Sequence, residues 1–405
     1  MTRRTIAVFT GNRAEYGLQV PIIRAIDAHP DLDYRLLVSG AHLDSNFGRT
    51  LEEIKADGFA VHAEVKIEMD AVSALSTPRA IGTGVLATSR VLAELKPDFL
   101  VVYADRFEGF AAVIAGTQMN IPTAHIEGGD LTEGGALDDS VRHAMTKLAH
   151  LHFTTNDQAT NRILGMGEEP WRVHTVGFPA IDLIQDGKFA QPSEIAETLK
   201  LDLLKPVVLF TQHSVTTEVD GAAPQTLPSI AALQALAEDG AQIVMTYPNN
   251  DAGGAAIAKL LEEAAARDPR LMLRRSLGRH MYHGVLALAR QPGARVVCAG
   301  NSSSGIKEAP AFGCPTVNIG SRQSGRLRGD NVLDADYDAS QIASALRTAL
   351  FDEAFRQRAR NGVNPYWQGG AGERVAEILA TVPIDQHLLR KQMVLAGEAR
   401  DGWFR

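Results

Sequence analysis

Short apolar runs alternate with stretches of helical periodicity along the whole chain. Strand-length runs fall at Thr5–Thr10, Tyr34–Ser39, Val61–Ile67, Phe99–Ala104, Thr123–Ile126, Leu151–Thr155 and Val173–Val176. Between them lie helical patterns such as Leu18–Ala28, where Ile22, Ile23 and Ile26 share a face, and Arg79–Leu95. Continuous Val, Ile and Leu runs, each followed by a helix, predict a parallel sheet covered on both sides. A polar stretch from Gln185 to Glu197 interrupts the pattern. It then restarts with Val207–Thr211, Gln242–Thr246, Arg270–Leu273, Arg295–Ala299 and Thr316–Ile319. The alternation predicts an α/β chain of two doubly wound domains, 1–184 and 185–380, joined near 180–195. Residues from Glu373 onward read as helical without a strand, leaving 381–405 as a helical tail that can pack on either domain. In such folds ligands bind in the cleft at the carboxyl ends of the strands, so the residues that leave each strand are the first candidates for chemistry.

Composition narrows the partners. The 405 residues carry a formal charge of −8 with 45% hydrophobic and 22% charged residues, and no Lys/Arg block. Neither nucleic acid nor an anionic membrane surface is indicated. The apolar run after Arg3-Arg4 is only Ile6 to Phe9, which reads as a first strand rather than a secretion signal. The expectation is a soluble, cytoplasmic protein. Cys298 and Cys314 sit in apolar contexts as buried free thiols. No metal site and no cofactor are indicated, and turnover is expected to need no metal. Phosphate-loop, nucleophile-elbow and zinc-helix motifs are absent from the sequence.

The most informative segment is Ala299-Gly300-Asn301-Ser302-Ser303-Ser304-Gly305-Ile306-Lys307-Glu308. It follows a strand and leads into a predicted helix, Gly305 to Phe312. Hydroxyls and free backbone N–H groups at a helix start suit an anion. Glu308 would repel phosphate, but one turn further on it suits the vicinal hydroxyls of a ribose. Diphosphate and ribose together suggest a nucleotide; the plainer alternative makes Ser302 a simple helix cap.

Other strand ends add to this. Arg13 follows Gly11-Asn12 in a loop able to reach a phosphate, or is a surface arginine. Asp105 leaves the fourth strand directly with Arg106 beside it, and equally reads as the N-cap of a helix over Phe107–Thr117. Glu127 leaves the next strand before two glycines, and an acid-rich loop reaches Asp138-Asp139-Ser140, any of which also suits a cap. Asp105, Glu127 and Asp138 form a candidate proton-transfer set. In the second half, His213 suits a phosphate contact or a proton donor to a leaving phosphate, Asn249 suits hydroxyl recognition, and Arg322 and Arg326 suit diphosphate clamps.

Taken in order, the blocks GNRAEYGL, ADRFE, HIEGG…LDDSVRHAMTKLAH, HSVTTE, YPNNDAGG and GNSSSGIKEA…GCPTVNIGSRQSGR resemble the hydrolysing UDP-N-acetylglucosamine 2-epimerases, from about residue 5 to 380. The resemblance implies a GT-B fold, two Rossmann-like domains facing a central cleft, acting on a UDP-sugar and releasing UDP. It implies Ser302, Ser303 and Glu308 at the nucleotide and Arg13 and Arg322 at the diphosphate. Asp105, Glu127, Asp138 and His213 become catalytic, with Arg106 and Asn249 as further substrate contacts. It also implies a homo-oligomer, dimer or tetramer. UDP-N-acetylglucosamine, giving UDP and N-acetylmannosamine, is the first substrate expected, and a UDP-2,4-diacetamido-trideoxy sugar the alternative.

The chain departs from the family pattern at Ser214, at Ala104 where a glycine is usual, in a longer acidic loop, and at Tyr366-Trp367-Gln368-Gly369-Gly370. The last two departures bear on the sugar rather than on the reaction. Rival readings are a non-hydrolysing 2-epimerase, a GT-B glycosyltransferase and a non-catalytic nucleotide-sugar binder. The first would carry an HRREN-like block where this chain has His213-Ser214-Val215-Thr216-Thr217.

Overall fold

A computed structural model describes residues 3–43, 50–68, 75–132, 137–215, 218–249, 253–366 and 368–395. The chain forms two compact units, one of Met1–Asp130, Asp138–Asp182 and Gln368–Arg405, the other of Leu131–Leu137 and Leu183–Trp367.

The first unit contains β1 (Arg4–Thr10), β2 (Leu32–Ser39), β3 (Val61–Val65), β4 (Phe99–Tyr103), β5 (Thr123–Ile126), β6 (Leu151–Thr154) and β7 (Val173–Thr175). They form one parallel sheet in the order β3-β2-β1-β4-β5-β6-β7. The second unit contains β8 (Val207–Thr211), β9 (Gln242–Thr246), β10 (Leu271–Arg274), β11 (Val296–Gly300), β12 (Thr316–Ile319) and β13 (Val332–Ala335), parallel in the order β10-β9-β8-β11-β12-β13. Winding reverses between β1 and β4 and between β8 and β11. Such switch points open a crevice at the strands' carboxyl ends. Two doubly wound parallel sheets with interleaved helices are the GT-B fold class.

Each sheet is continuous with its own core. In the first unit Phe9, Leu37, Val102 and Met145 are fully buried, and in the second Phe210, Ile243, Val317 and Leu346 are. Burying one such side chain contributes about 1.5–3 kcal/mol, and covering both sheet faces explains why these strands read as unbroken apolar runs. The strand β13 was not expected. Its residues, Val-Leu-Asp-Ala, are mostly half-exposed at the sheet edge, so they carry no buried-strand signature.

The largest departure from the sequence expectation concerns the segment after Trp367. The helix Ala371–Thr381 packs against the helix Arg13–Ala28 of the first unit. Asp182 caps its start, accepting the backbone N–H groups of Gly370, Ala371 and Gly372 at 2.7, 3.2 and 2.9 Å. Gly372 has to be glycine: a Cβ there would meet the Pro21 carbonyl oxygen at 2.6 Å. Residues 368–380, assigned to the second domain from the sequence pattern, thus complete the first.

The tail is helical only over Gln386–Leu389 among its described residues and then runs on without helix. Many of its anchors are backbone groups, which no periodicity announces, and Lys391 also pairs with the buried Glu168 at 2.6 Å. The buried Arg172 donates to the carbonyls of His387 and Leu388, each at 2.7 Å. Lys391 Nζ donates to the carbonyls of Thr146, Lys147 and Ala149 at 3.1, 2.9 and 2.7 Å, closing the end of the helix Leu137–Leu148. No described helix is long and apolar enough to cross a membrane.

Four histidines of the first unit are buried, and burial holds their pKa values down: His42, His150 and His152 to about 4, and His125 to about 3. Each is depressed below the unfolded value, so the unfolded chain takes up more protons once pH falls below about 6.5. Their contribution is present above pH 6.5 and is lost as pH falls towards 4, at about 1.4 kcal/mol per pH unit per histidine. Hydrogen exchange followed from pH 7 to 4.5 should show the first unit losing protection steeply across this window. Unchanged protection of β5 and β6 at pH 4.5 would contradict the assignment.

Candidate active site

In the first unit the chemistry gathers where β4 and β5 end side by side. Ala104 and Glu127, the residues just past these strands, both adopt left-handed backbone, with φ of 54° and 62°. Each still donates one more hydrogen bond to the neighbouring strand, Ala104 N–H to Ile126 O and Glu127 N–H to Phe153 O, both 2.9 Å. The ladder therefore fixes the turn against an intrinsic cost of about 1–2 kcal/mol for a residue with a Cβ. Such strain concentrates at functional sites. His125 holds the Ala104 carbonyl at 2.6 Å; a carbonyl only accepts, so Nε2–H donates and Nδ1 is left to accept from Thr146 Oγ1 at 3.2 Å.

Asp105 does not cap the following helix. The N-cap position belongs to Arg106, which makes no side-chain capping bond, and the helix runs Phe107–Gln118. The Asp105 carboxylate instead pairs with the buried guanidinium of Arg142. Arg142 also donates to Asp130 O at 2.6 Å and Asp139 Oδ1 at 3.3 Å. Asp138 and Asp139 lie within the first turn of the helix Leu137–Leu148, favourable for negative charge. Glu127 is 5% exposed, and burial, with the Glu127 charge adding to it, pushes the Tyr103 phenol well up. Arg106 Nε stands 3.8 Å from Glu108 Oε2. Glu15, held by Asn12 Nδ2 and Gln19 Nε2 at 3.0 and 2.9 Å, is pushed well up by burial and by Glu108. The side chain of Arg13, residues 133–136 of the acidic loop, Thr216, Thr217 and Trp367 lie outside the described residues.

The second unit builds its site on Asn301. Its Oδ1 accepts the His213 N–H at 2.6 Å, and its Nδ2 donates to the His213 carbonyl at 2.9 Å. Arg322 and Gln323 converge on its own carbonyl at 3.2 and 2.8 Å. This closeness needs glycine before it: Gly300 has φ 111°, and a Cβ there would fall 2.0 Å from Thr211 O. The Asn249 N–H donates to His213 Nδ1 at 2.9 Å. A neutral His213 therefore carries its proton on Nε2 and presents a donor. Arg326 is spent on the carbonyl of Leu131 at 2.8 Å.

Ser302 is the N-cap of a short helix, Ser303–Lys307, and Ala309–Phe312 continues as a 3₁₀ turn. The helix expected over 305–312 thus starts earlier and breaks at Glu308, because Pro310 has no N–H to continue it. His283 Nε2 lies 2.6 Å from Glu308 Oε2, and Tyr282 O–H lies 2.6 Å from Ser304 Oγ. Asp105 and Glu127 thus stand at adjacent strand ends of the first unit, and His213 and Ser302 just past adjacent strands of the second, while Asp138 lies in the first turn of a helix. Arg142, His125, Asn301, Tyr282 and His283 were not anticipated. Arg142 and Asn301 stood inside the informative blocks, but a lone arginine on a helix carries no sign of burial.

Doubly wound sheets with acids at one set of strand ends, and hydroxyls, amides and arginines at the other, define a nucleotide-sugar enzyme class. A family model described as UDP-N-acetylglucosamine 2-epimerase matches residues 24–380, and the chain belongs to that family. The UDP-N,N'-diacetylbacillosamine 2-epimerase (hydrolyzing) of Legionella pneumophila is 34% identical over 388 residues, covering 96% of this chain and 98% of that protein. The UDP-N-acetylglucosamine 2-epimerase of Neisseria meningitidis serogroup B is 32% identical, covering 85% and 87%. A crystal structure of Neisseria meningitidis UDP-GlcNAc 2-epimerase bound to UDP-GlcNAc superimposes with TM-score 0.78 at 18% identity, covering 93% of this chain and 99% of that one.

Ala104→Gly should relieve the left-handed turn beside Asp105. Glycine gives back part of that gain as entropy, so we expect a net stabilisation of about 0.5–1 kcal/mol in urea titration. A destabilised variant would show that Ala104 is not strained.

Proposed function

We propose that the chain is a hydrolysing 2-epimerase of a UDP-2-acetamido sugar, releasing UDP and the free epimerised sugar. The observation that carries this reading is the pair of strained strand ends at Ala104-Asp105 and Glu127, which hold two carboxylates on adjacent parallel strands. A glycosyltransferase needs one acceptor base, and a binder needs none.

The chemistry follows from the sugar. The C2 proton is not beside a carbonyl and becomes acidic only as the anomeric C–O bond breaks. Anti elimination then breaks C1–O and C2–H together, forms the C1–C2 double bond of a glycal and releases UDP. His213, with a proton on Nε2, and Arg322 stabilise the departing diphosphate. Asp105 is engaged by the Arg142 guanidinium, which suits it to orienting rather than to taking the proton. Glu127 takes the C2 proton, and Asp105, Arg106 and Asp138 orient the sugar and the incoming water. Water adds at C1 and a proton returns to C2 from the opposite face. Ser302 and Ser303 hold phosphate, Glu308 holds the ribose, and Asn249 and Arg13 are further contacts.

The 34% relative covering nearly the whole chain favours the 2,4-diacetamido-trideoxy substrate, and the 32% relative keeps UDP-N-acetylglucosamine in play. Proton NMR in D₂O with each sugar separates the readings. Free UDP plus a product deuterated at C2 is the expected result. Deuterated sugar still attached to UDP would make the enzyme non-hydrolysing, and unchanged spectra with both sugars would overturn the reading. Glu127→Gln and Asp105→Asn should each slow turnover at least ~100-fold while UDP affinity holds. Loss of UDP affinity in both would overturn these role assignments.

A further inference from the structure

One helix, Gly278–Ala287, contacts the short helix Ser303–Lys307 segment at both of its ends. Tyr282 reaches Ser304 at the start, and His283 reaches Glu308 just past the finish, each at 2.6 Å. Successive residues on a helix diverge by about 100°, and five residues span about 7.5 Å. Neighbours in sequence can therefore address the two ends separately.

The two contacts differ in kind. An ionised carboxylate only accepts, so His283 donates from Nε2–H and occupies Glu308 Oε2. The His283 side chain is 4% exposed and its ring lies 5.6 Å from Phe312, which packs edge-on to Phe189, so the imidazole is confined. Glu308 is thereby fixed in one orientation as an acceptor. At the other end Tyr282 O–H, Ser304 Oγ and Ser302 Oγ form a chain of 2.6 and 3.0 Å contacts. Cys298 Sγ stands 3.7 Å behind the phenol, and burial pushes that thiol up to about 12, so it remains S–H. Either member of each pair can donate, so these contacts fix where the Tyr282, Ser304 and Ser302 hydroxyls stand, and Ser302 Oγ also accepts the Ser304 N–H at 3.4 Å.

We propose that Tyr282 and His283 are a positioning pair for the two ends of the nucleotide site. Tyr282 holds the Ser304 and Ser302 hydroxyls in place for the diphosphate, and His283 holds Glu308 as an acceptor for the ribose 2′- and 3′-hydroxyls. The proposal rests on the nucleotide reading of this segment, and it assigns ribose selectivity to a residue that does not touch ribose.

Calorimetric binding of UDP, 2′-deoxy-UDP and uridine to the intact protein and its variants tests it. His283→Leu should bring the UDP to 2′-deoxy-UDP preference down about tenfold, the worth of a charge-assisted hydrogen bond, while UDP to uridine holds. His283→Gln, which restores a donor at the same reach, should recover the preference. Tyr282→Phe should do the reverse, lowering UDP to uridine and sparing the deoxy preference. Equal losses in both ratios for either variant would mean a merely structural role and overturn the proposal. A folded His283→Leu with the wild-type deoxy preference would do the same. If His283→Leu does not fold, the Gln and Phe variants carry the same comparison. A wild-type protein that binds no UDP would instead remove the nucleotide reading itself.

Discussion

A guanidinium out of reach of water needs its charge matched on every side, and Arg142 imposes that demand on the first unit. It is 1% exposed and draws together Asp105 from the end of β4, Asp139 from its own helix, and the carbonyl of Asp130 from the loop after β5. Removing one partner from a buried pair typically costs about 3–5 kcal/mol, so these segments are constrained jointly. The same ion pair sets Asp105 apart as the acid that faces a buried, fixed cation.

The second unit solves a similar problem with a neutral side chain. Asn301 clips the His213 backbone through both ends of its amide, while its own carbonyl collects Arg322 and Gln323. Three strand ends, those of β8, β11 and β12, are thereby tied through one residue. The guanidinium of Arg322 is thereby tied to the backbone of β11's end.

How far this was legible follows from what each feature leaves in the sequence. Strands covered on both faces, such as β1, β4, β8 and β11, leave unbroken apolar runs; the partly exposed β3, β7 and β10 were still readable, while β13, half-exposed with Asp334 in it, was not. Acids, hydroxyls and glycines at strand ends stand out by type and position, which is why Asp105, Glu127, His213 and Ser302 could be named. Their partners could not. Arg142 meets Asp105, and His283 meets Glu308, only after the chain has folded, and no local periodicity encodes such meetings. The anchoring of the tail was hidden for another reason: Arg172 and Lys391 bind carbonyls, which every residue possesses.

Asp182 waits for residues that lie far along the chain. During synthesis the first unit's sheet emerges early, yet the three N–H groups that its carboxylate accepts belong to residues 370–372. The lysine that closes the end of the helix Leu137–Leu148 follows later still, at 391. Nearly all of the second unit, Leu183–Trp367, is translated in between. Domains usually mature from the amino terminus onward; here the order is inverted at the finish. The amino-terminal unit is begun first and completed last, so damage near residue 390 is felt in the half of the protein that was made earliest.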